Sequence, residues 1–428
     1  MGVEMRPDIV QEVQGLYGPF SLSERIIQQI WMQGDFYQDE LRTESGKALK
    51  ILDPGRWNTN EGPDFKEARL ELEGIEQIGD VEIHFRADDW FHHDHECNPN
   101  FTRVLLHVVL YPGGSSGAAV AELPMETLVL MPLLERDLES YAMDAALVDL
   151  EQVGELPWFD TFVARPVSER RAILAELAAA RWRQKVAYRK KRLLAIGWSR
   201  ACHESALEVL GYARNRGVMH KIAQSLAAAD FGTGLDTGEL FERYRGEWKL
   251  SGCRPANHPK VRLEQYARIC RANPDWPDQL REVLTRAIHS QEREVAAFRK
   301  STQSKELERV IAEKVFQGVI GDKRLSTLLC DAIFPLAESE FGAGWAPYWQ
   351  AWYAGDFPGG FARFHRQGGL VDRREPVSNG IMQGILGLFL NKGQFEPIDS
   401  RHEKSPCKEG LFERCLWFGV KKNRPGLV

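Results

Sequence analysis

The chain has 428 residues, a net charge of −6 and 27% charged residues. It is long enough for two or three domains, and its acidic balance excludes a globally basic surface, so any nucleic-acid face must be a local patch. No stretch approaches the roughly 20 apolar residues of a membrane span, and the first seven residues hold no apolar leader. The seven scattered cysteines predict reduced thiols in a soluble, cytoplasmic protein rather than a disulfide framework.

Ser21 and Glu24, three apart, fit a capping box that opens a helix. Ile26, Ile27, Ile30 and Trp31 supply its apolar stripe and Gly34 ends it. Leu49 to Leu52 predicts a short strand, stopped by the turn signal Asp53-Pro54-Gly55. Residues 58–63 are polar and turn-forming and deliver the chain to Asp64. From Lys66 to Glu73, Ala68, Leu70 and Leu72 alternate with charged residues, which predicts a half-buried strand. Gly74 begins the return, Gly79 marks a bulge or a close backbone approach, and Val81 to Arg86 is the next strand. Residues 88–100 form a polar loop or short helix. Phe101 to Tyr111 is nearly continuous in apolar residues, as a central strand would be. A further strand is expected around Thr127 to Leu130. From Pro132 onward helical spacing dominates, in Val167 to Leu194, Ala206 to Ala227, Leu263 to Ile269, Leu280 to Phe298 and Ser304 to Phe316. The expected fold is α+β: a mixed sheet with a leading helix in residues 1–131, then a mostly helical domain in 132–428.

Alternation along a strand puts Asp80, Glu82, His84 and Arg86 on one face and Val81, Ile83 and Phe85 on the other. Asp64 lies just after a Gly-Pro turn on the preceding strand. Two carboxylates and an imidazole on adjacent strands can hold a divalent cation; the same pattern also fits the solvent face of an antiparallel sheet. Five of the eleven histidines, His84, His92, His93, His95 and His107, fall between residues 84 and 107. Neutral imidazole suits a softer ion such as Zn²⁺ or Mn²⁺, held by Glu82, His84 and either His107 or His95. His93 is a further candidate ligand or supporting residue.

The run from Arg181 to Arg192 carries seven basic residues in twelve, with Trp182 and Tyr188 among them. Arg181, Arg183, Arg189, Lys190 and Lys191 are candidates for contact with a phosphate backbone. The alternative places Trp182, Val186, Ala187 and Leu193 in a core stripe, with the charges on a solvated face. Cys407 and Cys415, alone near the C-terminus, cannot complete a zinc or iron–sulfur site. No Walker loop, dinucleotide fingerprint, G-x-S-x-G elbow or H-E-x-x-H motif is present.

Residues 58–65 (Asn-Thr-Asn-Glu-Gly-Pro-Asp-Phe) and 79–84 (Gly-Asp-Val-Glu-Ile-His) are the longest motifs. With the Glu24 helix, Asp89-Trp90, His93, His95 and Leu106-His107-Val108-Val109, they resemble an uncharacterised bacterial family, the domain of unknown function 2851 family. Asp64 and Glu82-Ile83-His84 are also similar to the core of the PD-(D/E)xK nuclease superfamily, with His84 where its lysine would stand. That resemblance implies a nuclease-like N-terminal domain in which Asp64 and Glu82 ligate Mg²⁺ or Mn²⁺. It implies that His84 assists the attacking water and that Glu24 supports the site from the first helix. The implied reaction is phosphodiester hydrolysis of DNA or RNA. Two other readings stay open: an inactive nuclease-like scaffold binding nucleic acid or protein, and a metallohydrolase of a small phosphorylated substrate.

Overall fold

The computed structural model describes residues 24–390, apart from 59–60, 93–94, 96–97, 112–124, 135–137, 152–155, 252, 288–294, 343, 358 and 368–375. The fold is α+β, with a mixed sheet first and helices after it.

Helix α1 (Glu24–Gln33) buries Ile26, Ile27, Ile30 and Trp31 as its spacing predicts. Gly34 ends it in the left-handed region (φ 62), where the N–H groups of Gly34 and Asp35 return to Trp31 O and Ile30 O. Among the described residues six strands follow: β1 (Leu49–Asp53), β2 (Arg56–Trp57), β3 (Phe65–Leu72), β4 (Ile75–Arg86), β5 (Val104–Tyr111) and β6 (Glu126–Val129). Their order is β1-β3-β4-β5-β6, with the short β2 also on β3. The first pairings are antiparallel; β4 with β5 and β5 with β6 are parallel.

The β3–β4 hairpin closes in two residues, Glu73 and Gly74, both with positive φ, as a tight twisted hairpin requires. Strand β4 therefore starts six residues earlier than the alternation from Val81 suggests. A bulge between Phe65 and Ala68 puts Glu67 at φ 58. Asp80 Oδ1 accepts from the Glu67 N–H at 3.0 Å, so this buried carboxylate closes the bulge. Gly79 is where backbones crowd. A Cβ there would stand 2.8 Å from Arg103 O and run into the Leu105 side chain.

Val81, Ile83, Leu106, Val108 and Leu110 pack with α1 into one core. Helix Leu138–Glu151 adds Tyr141 and Ala142 to it. The opposite face of β4 and β5 is also buried. Helix α2 (Asp89–His92) and the turn Pro99–Phe101 lay Trp90 and Phe101 over it, packed with Val104 and Met125. A solvent-facing polar side for Glu82 and His84 is thus excluded: they are 6% and 1% exposed.

A second core fills the helical part, from Ala178 to Trp352. Its axis is Val167–Leu210, longer than the predicted 167–194 and broken at Gly197 (φ 74, ψ 172). The expected helix over 206–227 divides, because residues 206–210 complete that axis and Tyr212–Ser225 begins anew. The predicted 280–298 helix resolves into Trp276–Thr285 and Val295–Lys300, and the 304–316 helix ends in a π turn at Ile311–Val315.

Candidate functional site

The loop before β3 is tied by Asn58. Its side-chain amide donates to Pro63 O (2.9 Å) and Glu61 O (3.2 Å), and its N–H donates to Asp64 O (2.7 Å). That anchorage fixes Asp64 one residue ahead of β3, against β4. The Asp64 N–H donates to Glu82 Oε2 at 2.9 Å, and Asp64 Oδ2 accepts from the Ile83 N–H at 3.1 Å. Asp64 Oδ1 accepts from Gln28 Nε2 at 2.7 Å. Sequence reasoning missed Gln28; its signal is the i, i+4 spacing from Glu24, which puts both on one face of α1.

Ser21 and its capping box lie outside the described residues. The Glu24 carboxylate turns to β4 and accepts from the Phe85 N–H. Burial, then the charges of Asp64 and Asp89, push its pKa up to about 7. Burial also raises Asp64, against the lowering bonds from Gln28 and Ile83. Glu82 is pushed up by burial and by the Asp64 charge. Three carboxylates therefore crowd a poorly hydrated corner, where each resists the ionisation of the others.

The two oxygens of Glu82 face different partners. Oε2 takes the Asp64 N–H, while Oε1 lies 3.5 Å from His84 Nε2 and 3.3 Å from His95 Nε2. His84 Nδ1 is 2.9 Å from His107 Nε2 on the neighbouring strand. His107 is fully buried, and burial lowers its pKa to about 4, so it is neutral. His95 stacks on Phe101 (ring centroids 3.9 Å apart) and meets the edge of Trp90.

Among the described residues, the His, Cys, Asp and Glu side chains whose donor atoms gather within 4.8 Å are Glu82, His84 and His95. The expected ligands Asp64 and Glu82 meet through the Asp64 N–H. Asp64 stands beside the group, with its oxygens engaged by Gln28 and Ile83. His107 stands behind His84 and outside the group. His93 lies outside the described residues, as do Cys407 and Cys415.

The basic run is also corrected. Arg181 and Arg189 are 4% and 1% exposed, beyond the reach of a phosphate backbone. With Lys185 and Arg192 they form one buried face of the long helix, at intervals of a helical turn. Arg181 bonds Gln383, and Lys185 pairs with Asp331 at 3.0 Å. Arg189 donates to Ser205 Oγ (2.9 Å) and Asp331 O (3.0 Å), and Arg192 grips Glu208 at 2.7 and 2.9 Å. Asp331 belongs to a π turn, Leu329–Ile333. The expected core stripe is only partly formed, since Ala187 is exposed. Arg183, Lys190 and Lys191 remain on the surface, Arg183 paired with Glu176.

This is a mixed sheet with a buried carboxylate–imidazole centre, joined to a helical array. Residues 24–234 match the family model described as Protein of unknown function (DUF2851), so this part of the chain is similar to that family. No curated protein and no solved structure gives a significant match.

Proposed function

We propose that the protein is a metal-dependent hydrolase of phosphodiester bonds in DNA or RNA. The observation that carries this reading is the meeting of Glu24, Asp64 and Glu82 with two imidazoles at one corner of β3 and β4. Carboxylates packed this closely ionise cheaply only beside a cation. A leading helix followed by strands β1, β3 and β4 is also compatible with the nuclease resemblance.

Glu82 and His84 would hold the ion, and Mg²⁺, Mn²⁺ and Zn²⁺ are the candidates. Such an ion supplies a water of lowered pKa and neutralises charge on a phosphate oxygen. Asp64 fixes Glu82 through its N–H and orients the corner through Gln28. Glu24, titrating near neutrality, is suited to take up or release a proton there.

The burial of Arg181 and Arg189 removes part of the expected backbone track and favours a second reading, a small phosphorylated substrate. The cytoplasm fits the free thiols of Cys202, Cys253, Cys270 and Cys330. No helix among the described residues is long and apolar enough to cross a membrane. The deciding test is a cleavage assay on single-stranded, duplex and branched DNA and RNA, and on a small phosphodiester, with each ion in turn. Cleavage that disappears in Asp64→Asn supports the hydrolase. Absence of cleavage on every substrate with every ion overturns it.

A further inference from the structure

We infer that Glu82, His84 and His95 form a four-coordinate centre for a borderline ion of the zinc class, with His107 as the residue that positions His84. Used for catalysis, the centre rests on the hydrolase reading; as a binding site it stands on its own geometry.

The first argument is the donor set. Two imidazoles and one carboxylate suit Zn²⁺ and its neighbours, whereas Mg²⁺ asks for oxygen and retained water. Among the described residues the protein ligands are three, and a tetrahedral ion takes a fourth partner such as water or substrate. The second argument is spacing. Ligands about 2.0–2.1 Å from a tetrahedral ion stand about 3.3–3.4 Å from one another. An octahedral ion of similar bond length brings adjacent ligands to about 3.0 Å. Glu82 Oε1 lies 3.3 Å from His95 Nε2 and 3.5 Å from His84 Nε2, two edges close to the tetrahedral length, and all three donors lie within 4.8 Å of one another.

The third argument is the support behind the ligands. Metal-bound histidines commonly donate their second N–H to a fixed acceptor, which sets the tautomer. When His84 Nε2 faces an ion, its Nδ1–H must donate. The acceptor in place is His107 Nε2, at 2.9 Å on a parallel strand. His95 is held differently, by stacking between its own ring, Phe101 and the edge of Trp90. The roof of Trp90 and Phe101 also excludes water from one side. These features come from three separate segments, and each one orients a ligand.

Sequence reasoning left His95 and His107 as alternatives for the same role. The structure separates them: His95 reaches the carboxylate, and His107 meets His84 behind it.

The test uses Co²⁺ as the probe, added to the full-length protein. Four-coordinate Co²⁺ gives intense visible bands, and six-coordinate Co²⁺ gives faint ones. Wild type should show the intense bands at one equivalent, and added Zn²⁺ should bleach them. His95→Gln and His84→Gln should each lose them, and Asp64→Asn should keep them. His107→Phe should bind Co²⁺ about 10–100-fold more weakly, and His107→Gln, which restores an acceptor, should recover part of the loss. Melting curves without metal establish which variants fold, and the wild-type spectrum decides the matter if a variant does not. Faint bands or no binding in wild type overturn the centre, as do intense bands that persist in a folded His95→Gln. Intense bands without cleavage would leave the centre standing and remove the hydrolase. Mg²⁺-dependent cleavage without the bands would do the reverse.

Discussion

His84 Nδ1 and His107 Nε2 lie 2.9 Å apart and join β4 to β5 through one hydrogen bond between imidazoles. Backbone pairing sets Glu82 opposite His107 and His84 opposite Val109, so this bond runs diagonally across the parallel pair. It ties a ring beside Glu82 to a ring with no exposure at all.

That tie makes position 84 intolerant of the lysine found in the nuclease superfamily. His84→Lys would bury an ammonium against a neutral imidazole and give up the bond. The expected result is lost divalent-ion binding and a lower melting temperature, read by calorimetric titration and thermal melting. A variant that binds ions as wild type does would remove His84 from the ligands.

Glu82→Gln should keep the fold, because an amide oxygen can still accept from the Asp64 N–H. It should lose the stabilisation that an ion confers. At a free ion concentration a hundredfold above Kd, wild type gains about 2.7 kcal/mol. Melting with and without Zn²⁺, Mn²⁺ and Mg²⁺ measures the difference. An equal rise in Glu82→Gln would remove Glu82 from the site.

Arg189→Ala and the pair Lys190→Ala with Lys191→Ala should part company. The first leaves Glu208 and Asp331 short of a buried partner and should cost about 3–5 kcal/mol in urea unfolding. The exposed pair should leave stability nearly unchanged. If the surface binds nucleic acid, each lysine removed should lower the salt slope by about one. An unchanged slope assigns both to an ordinary solvated face.

His203 gives the helical part its own pH dependence. It is 1% exposed, bonded to Tyr266 OH and to the Leu226 carbonyl. Burial lowers its pKa to about 4. The unfolded chain takes up this proton near pH 6.5, and the folded chain refuses it until about pH 4. Stability is therefore full above 6.5 and falls as the pH drops through that window, by about 3 kcal/mol at most. Urea unfolding between pH 7.5 and about 4 should show this slope in wild type, and His203→Phe should flatten it.

Gly79→Ala tests the crowded junction of β4 and β5. The added methyl meets Arg103 O, a backbone atom that cannot rotate away. Overpacking of this kind costs about 1–3 kcal/mol, measured from the urea midpoint. A neutral result would mean that the two strands can separate there at no cost.

The parts of this fold that could be read from the sequence were those with a short, clean period. The stripe of α1, the alternation around Ala68, Leu70 and Leu72, and the shared side of Glu82 and His84 all follow from residue spacing. What spacing could not supply was the other surface. Nothing in the pattern of β4 says that His95, packed on Trp90 and Phe101, returns to Glu82, because that contact is made by a connection without a period of its own. The basic helix misled for a related reason. Positions 181, 185, 189 and 192 have the spacing of a buried face, but lysine and arginine are buried only when partners distant in sequence are present. Glu208 and Asp331 are such partners.

Parallel pairing of β4 with β5 has one more consequence. Antiparallel neighbours can be joined by two residues, as β3 and β4 are, but parallel neighbours require the chain to travel back along the whole strand. Here residues 87–103 make that journey, and His95 lies midway along it. The stretch that lets β5 pair parallel to β4 is also the one that carries His95 to Glu82. Lengthening or shortening it would change the reach of the connection and the placement of the imidazole together. A surface loop of this size would normally tolerate such insertions; this one should not. Assembly of the centre thus waits on the docking of β5, and no partly folded chain lacking that strand should hold the ion.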